Sequence, residues 1–387
     1  MSERRAILDL HRSIGPQPAV LVTLVAVEGS SYRRPGARML LAADGRRAGT
    51  ISGGCLEAEI ARTAQWHAAQ GAALRRYSTH FDDPDDVPFG LGCGGTLDLL
   101  FEPAHTPEAA ALFTALAATL NRQHRTVITC LPTQSTPLAR IVLDSDGRTL
   151  FASTSLSPSA QSALIAQHGV EQGTTGVFTE HLAPPQRLIL FGAGDDAQPL
   201  AQMASLLGWQ VIVADGRSHL AAPVRFPSAQ VIALSEPLSL APLALTSADA
   251  VVLITHSYAQ DRALLPPLLS LAPRYLALLG SRRRAALLLS EAAATLGRSF
   301  DDLAPLLHAP AGLDLGAENA NDTPAAIALA ILAEAHARCH AASAEPLRLT
   351  AAQLWQHLED AIRDGTPPIV CALDSPFAPA AKGEGNS

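Results

Sequence analysis

The sequence predicts a two-domain α/β protein, and three observations carry that prediction. From residue 187 onward, short apolar runs at 187–191, 210–214, 230–234, 250–255 and 275–279 read as strands, with helical stretches at 199–207 and 262–271 between them. Strands alternating with helices imply parallel βαβ units. The first of these strands runs into Phe191-Gly192-Ala193-Gly194-Asp195-Asp196-Ala197, a Gly-x-Gly-x-x-Ala turn opening a helix, as in Rossmann-like sheets. Ahead of it, Ala183-Pro184-Pro185 is a stiff junction. Residues 184–340 are therefore expected to form a Rossmann-like, doubly wound parallel sheet. Residues 1–183 form an N-terminal α/β domain, and 341–387 a C-terminal helix and disordered tail.

The N-terminal elements follow from local pattern. Residues 19–27, Ala-Val-Leu-Val-Thr-Leu-Val-Ala-Val, are β-branched and almost continuously apolar, as in a strand covered on both faces. A Gly/Ser/Arg/Pro loop at 28–38 leads to a strand at 39–42 and a turn at Asp44-Gly45. Ile51-Ser-Gly-Gly-Cys-Leu-Glu57 opens a helix over 56–70, stopped by Gly71. Short strands are expected at 75–78 and 96–101, separated by the acidic loop Asp82-Asp-Pro-Asp-Asp86 and the turn Gly90-Leu-Gly-Cys-Gly-Gly95. Thr106-Pro107 starts a helix. Strands at 126–131 and 141–143 and a helix at 157–168 complete this domain. In the C-terminal part, Thr323-Pro324 starts an alanine-rich helix to about 339. Thr350-Ala-Ala-Gln353 is a capping box, with Gly365 as the stop.

Charge excludes whole classes of chemistry. Of 28 cationic residues only Lys382 is a lysine, and it lies in the tail. Schiff-base catalysis and a Walker-A phosphate loop therefore lack their residue. A net charge of -8 without a basic block argues against nucleic-acid binding. The longest apolar runs fall short of the roughly 20 residues of a membrane span. Asp9, His11 and Arg12 interrupt any signal-peptide core. A cytoplasmic protein without a membrane is expected. Cys55, Cys93, Cys130, Cys339 and Cys371 form no Cys-x-x-Cys pair, which reads as free thiols rather than disulfides or a zinc site.

In the Gly-x-Gly turn, Gly192 permits the tight bend and Gly194 lets backbone approach a phosphate at the helix N-terminus. Asp215 ends the next strand, where a ribose-binding acid belongs. Asp195 and Asp196, placed in the first helical turn, compete with a phosphate for the same N–H groups. Either they cap a helix in a fold without NAD, or the turn binds a dinucleotide. Thr255-His256-Ser257 and Gly280-Ser281-Arg282-Arg283-Arg284 follow two further strands. The arginines suit an oxyanion or form a solvated helix face, and His256 is a proton carrier or a locally bonded side chain.

Cys55 follows Ser52-Gly53-Gly54 and precedes a helix, where the dipole favours thiolate while Glu57 and Glu59 oppose it. Cys93 is flanked by Gly92, Gly94 and Gly95, which allow close backbone approach to a ligand. Either thiol can meet a soft metal or carry sulfur. A buried core cysteine needs no glycine escort.

Together these segments resemble the XdhC/CoxI family. In order, the similar stretches are Gly29-Ser-Ser-Tyr-Arg-Arg-Pro-Gly-Ala-Arg-Met39, Ser52-Gly-Gly-Cys-Leu-Glu57, Gly90-Leu-Gly-Cys-Gly-Gly95, the turn at Gly192, Leu279-Gly-Ser-Arg-Arg283 and Gly312-Leu-Asp-Leu-Gly-Ala317. The resemblance implies an accessory protein, a chaperone rather than an enzyme. Such a protein binds the molybdenum cofactor (molybdopterin) transiently and assists its sulfuration by a cysteine desulfurase. It then inserts the cofactor into an apo molybdenum hydroxylase of the xanthine dehydrogenase type. It makes Cys55 and Cys93 molybdenum-proximal candidates, and Gly53, Gly54, Gly94, Arg38, Gly192, Gly194, Asp215, Ser281, Arg282 and Arg283 candidate cofactor contacts. A homodimer is compatible with it. Many family members carry His where this chain has Asp195, so client and cofactor form stay open. The alternatives are an NAD(P)-dependent oxidoreductase, with Asp215 on the ribose and His256 as acid/base, and a non-catalytic nucleotide-binding module.

Overall fold

The amphipathic segment that Asp9, His11 and Arg12 interrupt folds as helix α1 (Glu3–Ile14), burying Ile7, Leu8 and Ile14. The computed structural model describes residues 2–54, 56–78, 95–167, 176–234, 239–316 and 323–363. Cys55, Cys93, Gly94, Cys371, the acidic run 82–86 and the tail beyond 363 lie outside the described residues. The chain divides into two compact units. One comprises Leu10–Phe113, Thr126–Glu180 and Leu347–Ser387, and the other Met1–Asp9, Thr114–Arg125 and His181–Pro346.

In the first unit, β1 (Ala19–Gly29), β2 (Arg38–Ala42), β3 (Arg47–Gly49), α2 (Glu57–His67), β4 (Ala73–Ser78) and β5 (Gly95–Pro103) follow in order. Their strands form an antiparallel sheet, β3-β2-β1-β5-β4. The continuous apolar run of β1 has its reason here: it is central, and Ala19 to Val25 are all buried. Ile60 and Ala64 of α2 pack with Val22, Leu24, Met39, Leu99 and Phe101 on one side of that sheet.

Helix α3 (Pro107–Leu120) leads to β6 (Arg125–Cys130), β7 (Ala139–Leu143), β8 (Thr149–Ala152), α4 (Pro158–Gln167) and β9 (Val177–Leu182). These strands form a second sheet, β8-β7-β6-β9. Val25 and Leu100 meet Leu138 and Phe178, joining the two sheets. Arg140 on β7 bonds Glu102 on β5 through both guanidinium ends at 3.0 and 3.2 Å, and both residues are fully buried. Removing one partner of such a pair leaves an uncompensated buried charge.

The second unit holds β10 (Arg187–Phe191), α5 (Ala197–Leu206), β11 (Gln210–Asp215), β12 (Gln230–Ala233), β13 (Ala250–Leu253), α6 (Tyr258–Leu271), β14 (Tyr275–Leu278), α7 (Arg282–Leu296), α8 (Phe300–Leu303) and α9 (Pro324–Cys339). The sheet order β12-β11-β10-β13-β14, parallel throughout, is that of a Rossmann-like sheet. Alternation along β10 sends Leu188 and Leu190 to the face covered by α5 and α9. Ile189 and Phe191 face α6 and α7. Each of these side chains contributes about 1.5–3 kcal/mol by burial. Helix α10 (Ala351–Arg363) follows; Leu354, Trp355 and Leu358 on it are exposed.

Residues 1–9 and 114–125 cluster with the Rossmann-like sheet. There Arg4 donates to the Thr119 hydroxyl at 2.6 Å and the Ala183 carbonyl at 2.8 Å, and Gln210 donates to the Leu120 carbonyl at 2.6 Å. One expectation changes. Asp195 and Asp196 precede α5 rather than occupying its first turn, because the helix begins at Ala197. Among the described residues, no helix is long and apolar enough to cross a membrane.

The turn after β10 passes against the end of β13. Gly192 has φ +119°, and a Cβ there would lie 2.3 Å from the Ile254 carbonyl oxygen. Gly192→Val is expected to destabilise the protein by about 3 kcal/mol or more, combining backbone strain with overpacking. Thermal denaturation followed by circular dichroism tests this, and an unchanged Tm contradicts it.

Candidate functional site

At one end of the antiparallel sheet, the loop after β1, the turn before α2 and the first residue of β5 come together. Gly95 pairs with Gly29, and a Cβ on Gly95 would lie 2.1 Å from the Ser30 carbonyl oxygen. No other residue fits there, which gives the last glycine of Gly90–Gly95 its task. The Tyr32 ring lies on Gly53, where an added Cβ would meet the ring at 2.9 Å. Arg33 donates to the Thr50 hydroxyl at 2.7 Å. Three stretches singled out in the sequence therefore share one place in this unit.

The turn leading to position 55 is held by a single carboxylate. Glu57 is 4% exposed. Its Oε1 accepts the N–H groups of Ile51, Ser52 and Gly53 at 3.0, 2.8 and 3.2 Å. Its Oε2 accepts the Gly54 N–H and the Ser52 hydroxyl at 2.8 and 2.7 Å. Burial pushes this carboxyl up, but the Ser52 hydroxyl and the backbone N–H groups outweigh it and hold the pKa at about 2. The sequence pattern shows Glu57 only as a charge opposing a thiolate. The missed signal is an acid three to six residues after four successive N–H groups, within reach of all of them.

In the Rossmann-like unit, the carboxyl ends of the parallel strands carry the remaining candidates. Asp215 is buried and braces the Gly-x-Gly turn. It accepts the Ala193 N–H at 2.8 Å and takes a bidentate contact from Arg217 at 3.0 and 2.8 Å. Its carboxyl is lowered: burial raises it, and the Arg217 hydrogen bonds with the backbone N–H groups of Arg217 and Ala193 overcome that. Both of its oxygens are engaged inside the protein. Asp195 pairs with Arg225 at 2.7 Å, and Asp196 Oδ2 with His256 Nε2 at 2.7 Å. His256 sits at φ 57°, a left-handed position for a non-glycine residue.

Ser281 caps α7, accepting the Arg284 N–H at 3.3 Å. Arg284 turns inward to Asp261 at 2.5 Å. Arg282 and Arg283 are exposed and form no ion pair among the described residues. Arg38 is different. It is buried and bonded to Glu180 and to the Gly36 carbonyl, so its charge is neutralised within the fold. Cys130 and Cys339 are free thiols, and burial pushes both upward, Cys339 to about 11, as expected of inert cysteines.

Residues 188–335 match the XdhC Rossmann domain, and residues 15–78 match the XdhC and CoxI family. A protein of Bacillus subtilis named as a probable xanthine dehydrogenase subunit is 32% identical over 336 residues, 82% of this chain and 92% of that protein. The chain belongs to the XdhC and CoxI family. A molybdenum cofactor insertion chaperone of Escherichia coli, PaoD, is 26% identical over 87% of this chain and 92% of its own length. A xanthine dehydrogenase of Bacillus halodurans, known from its crystal structure, superposes with a TM-score of 0.73 at 28% identity, covering 90% of this chain and 98% of that one. The family match at 15–78 includes the turn wrapped on Glu57, and the match at 188–335 includes the Gly192 turn and Arg282.

Glu57→Gln keeps one acceptor oxygen and turns an amide donor toward N–H groups. A loss of about 1–3 kcal/mol is expected. The Glu57 carboxyl is depressed in the folded protein, so its contribution is complete above the ordinary value of 4.5 and disappears as pH falls toward 2. Urea unfolding at pH 7 and pH 3 tests this: the gap between wild type and variant should narrow at the lower pH, and a constant gap contradicts the assignment.

Proposed function

We propose that the chain is an accessory protein that binds the molybdenum cofactor as cargo, assists its sulfuration and delivers it to an apo molybdenum hydroxylase of the xanthine dehydrogenase type. The observation that carries this reading is the Ser52–Gly54 turn, folded around Glu57 immediately before Cys55. Such a turn fixes the backbone that leads into position 55 on the protein's own carboxylate. Membership of the family, and the E. coli relative named as a molybdenum cofactor insertion chaperone, support the same reading.

In this proposal the cofactor lies against Gly53 and Gly54, with Cys55 and Cys93 as molybdenum-proximal thiols and Gly94 allowing close approach. Within the Rossmann-like unit, considered by itself, Gly192 and Gly194 are candidate contacts for a pterin ring, and Ser281, Arg282 and Arg283 for a phosphate. Arg38 and Asp215 act instead as braces of the two turns. A cysteine desulfurase supplies the sulfur, the apo-hydroxylase receives the product, and a homodimer in the cytoplasm is the working form. The oxidoreductase alternative leaves the Gly-Cys turns without a task, and it needs an Asp215 carboxylate that Arg217 and Ala193 already engage.

The test is cofactor retention. Purified from cells that make the cofactor, the chain should carry molybdenum and pterin at about one per chain. Cys55→Ala and Cys93→Ala should lower that content at least tenfold while leaving Tm unchanged. Tight NADH binding with neither molybdenum nor pterin would sink the proposal.

A further inference from the structure

A slot of about 170 Å³ opens at the carboxyl ends of β10, β11 and β13, beside α6. Gly192, Gly216, Leu234, Ala259, Gln260 and Ala263 line it. The room comes from small residues: Gly216, and Ala259 and Ala263 one helical turn apart on α6, all line the slot. A dry cavity of about 150 Å³ accepts benzene. This slot therefore takes one six-membered ring, with any second ring in its open mouth. The wall is largely apolar, and the Gln260 amide adds a donor and an acceptor at the edge, its nitrogen 3.7 Å from where a Cβ on Gly216 would sit.

The phosphate seat beside the slot is occupied by the protein itself. Asp196 lies against Gly194, with its Oδ1 2.6 Å from the position of an added Cβ there, and His256 fixes its other oxygen. Asp195 sets a second carboxylate beside it, fixed by Arg225. The Ala193 N–H is taken by Asp215. A pyrophosphate placed on this turn meets carboxylates instead of free N–H groups. Carboxylates at that position repel a pyrophosphate.

We infer that this crevice seats an uncharged planar nitrogen heterocycle of nucleobase size and that Asp196, held by His256, excludes dinucleotides. The inference goes beyond the cofactor-delivery reading and stands without it. A ring with edge donors and acceptors fits an apolar slot with one amide, and two sources share that chemistry: a free purine, or the pterin of a larger ligand.

Isothermal titration of the full chain with hypoxanthine, with pterin and with NADH tests it. At least one of the two rings should bind. Ala263→Phe and Ala259→Leu, both at exposed positions, should each weaken that binding at least tenfold, with unchanged circular dichroism. Tighter binding of hypoxanthine marks a free purine as the occupant, tighter binding of pterin marks part of a larger ligand, and either supports the slot. NADH should bind the wild type at least tenfold more weakly than the ring and should gain at least tenfold in Asp196→Gly. Absence of ring binding, ring binding indifferent to both fillings, or NADH binding tighter than either ring overturns the inference. Each of these results leaves molybdenum and pterin retention, measured separately on the Cys55 and Cys93 variants, to stand or fall on its own.

Discussion

One carboxylate organises the end of the antiparallel unit. Four successive N–H groups, from Ile51 to Gly54, and the Ser52 hydroxyl converge on Glu57. A turn with two glycines has many accessible backbone states, and hydrogen bonds to a buried charge select one of them. The same turn supports Tyr32 and lies beside Thr50 and Arg33, so the loop after β1 takes its form from it. Preorganisation of this kind suits a protein that must receive a bulky ligand without reshaping itself.

The Rossmann-like unit uses its acids in a related way. Asp215 holds the Gly-x-Gly turn from below, and Asp196 and Asp195 close it from the front with His256 and Arg225. Carboxylates lie where a dinucleotide's phosphates would sit, and the inferred narrower ligand choice rests on them. Fold and ligand separate here, because the strand order is that of a dinucleotide-binding sheet while the charges at its crevice oppose one.

Much of this was legible in the sequence. The parallel strands could be read because each is a short apolar run flanked by turn residues, and the central β1 because both its faces are buried. The edge strands β3, β8 and β9 escaped notice because they are partly exposed, with little apolar pattern. Gly192 was legible as a tight turn, which its φ of +119° requires. The duties of Glu57, Asp215 and Arg38 were not, because a charged residue beside a motif reads as a ligand contact until its internal partner is known. Those partners lie up to 142 positions away, as Glu180 does from Arg38.

In the proposed function the turn fixed by Glu57 receives the cofactor. The most direct measurement compares molybdenum and pterin content in Glu57→Gln and in Glu59→Gln, whose carboxylate pairs only with Arg62 on the helix surface among the described residues. Glu57→Gln, still folded at pH 7, should lose most of the bound cofactor while Glu59→Gln retains it. Equal retention in both variants would contradict it.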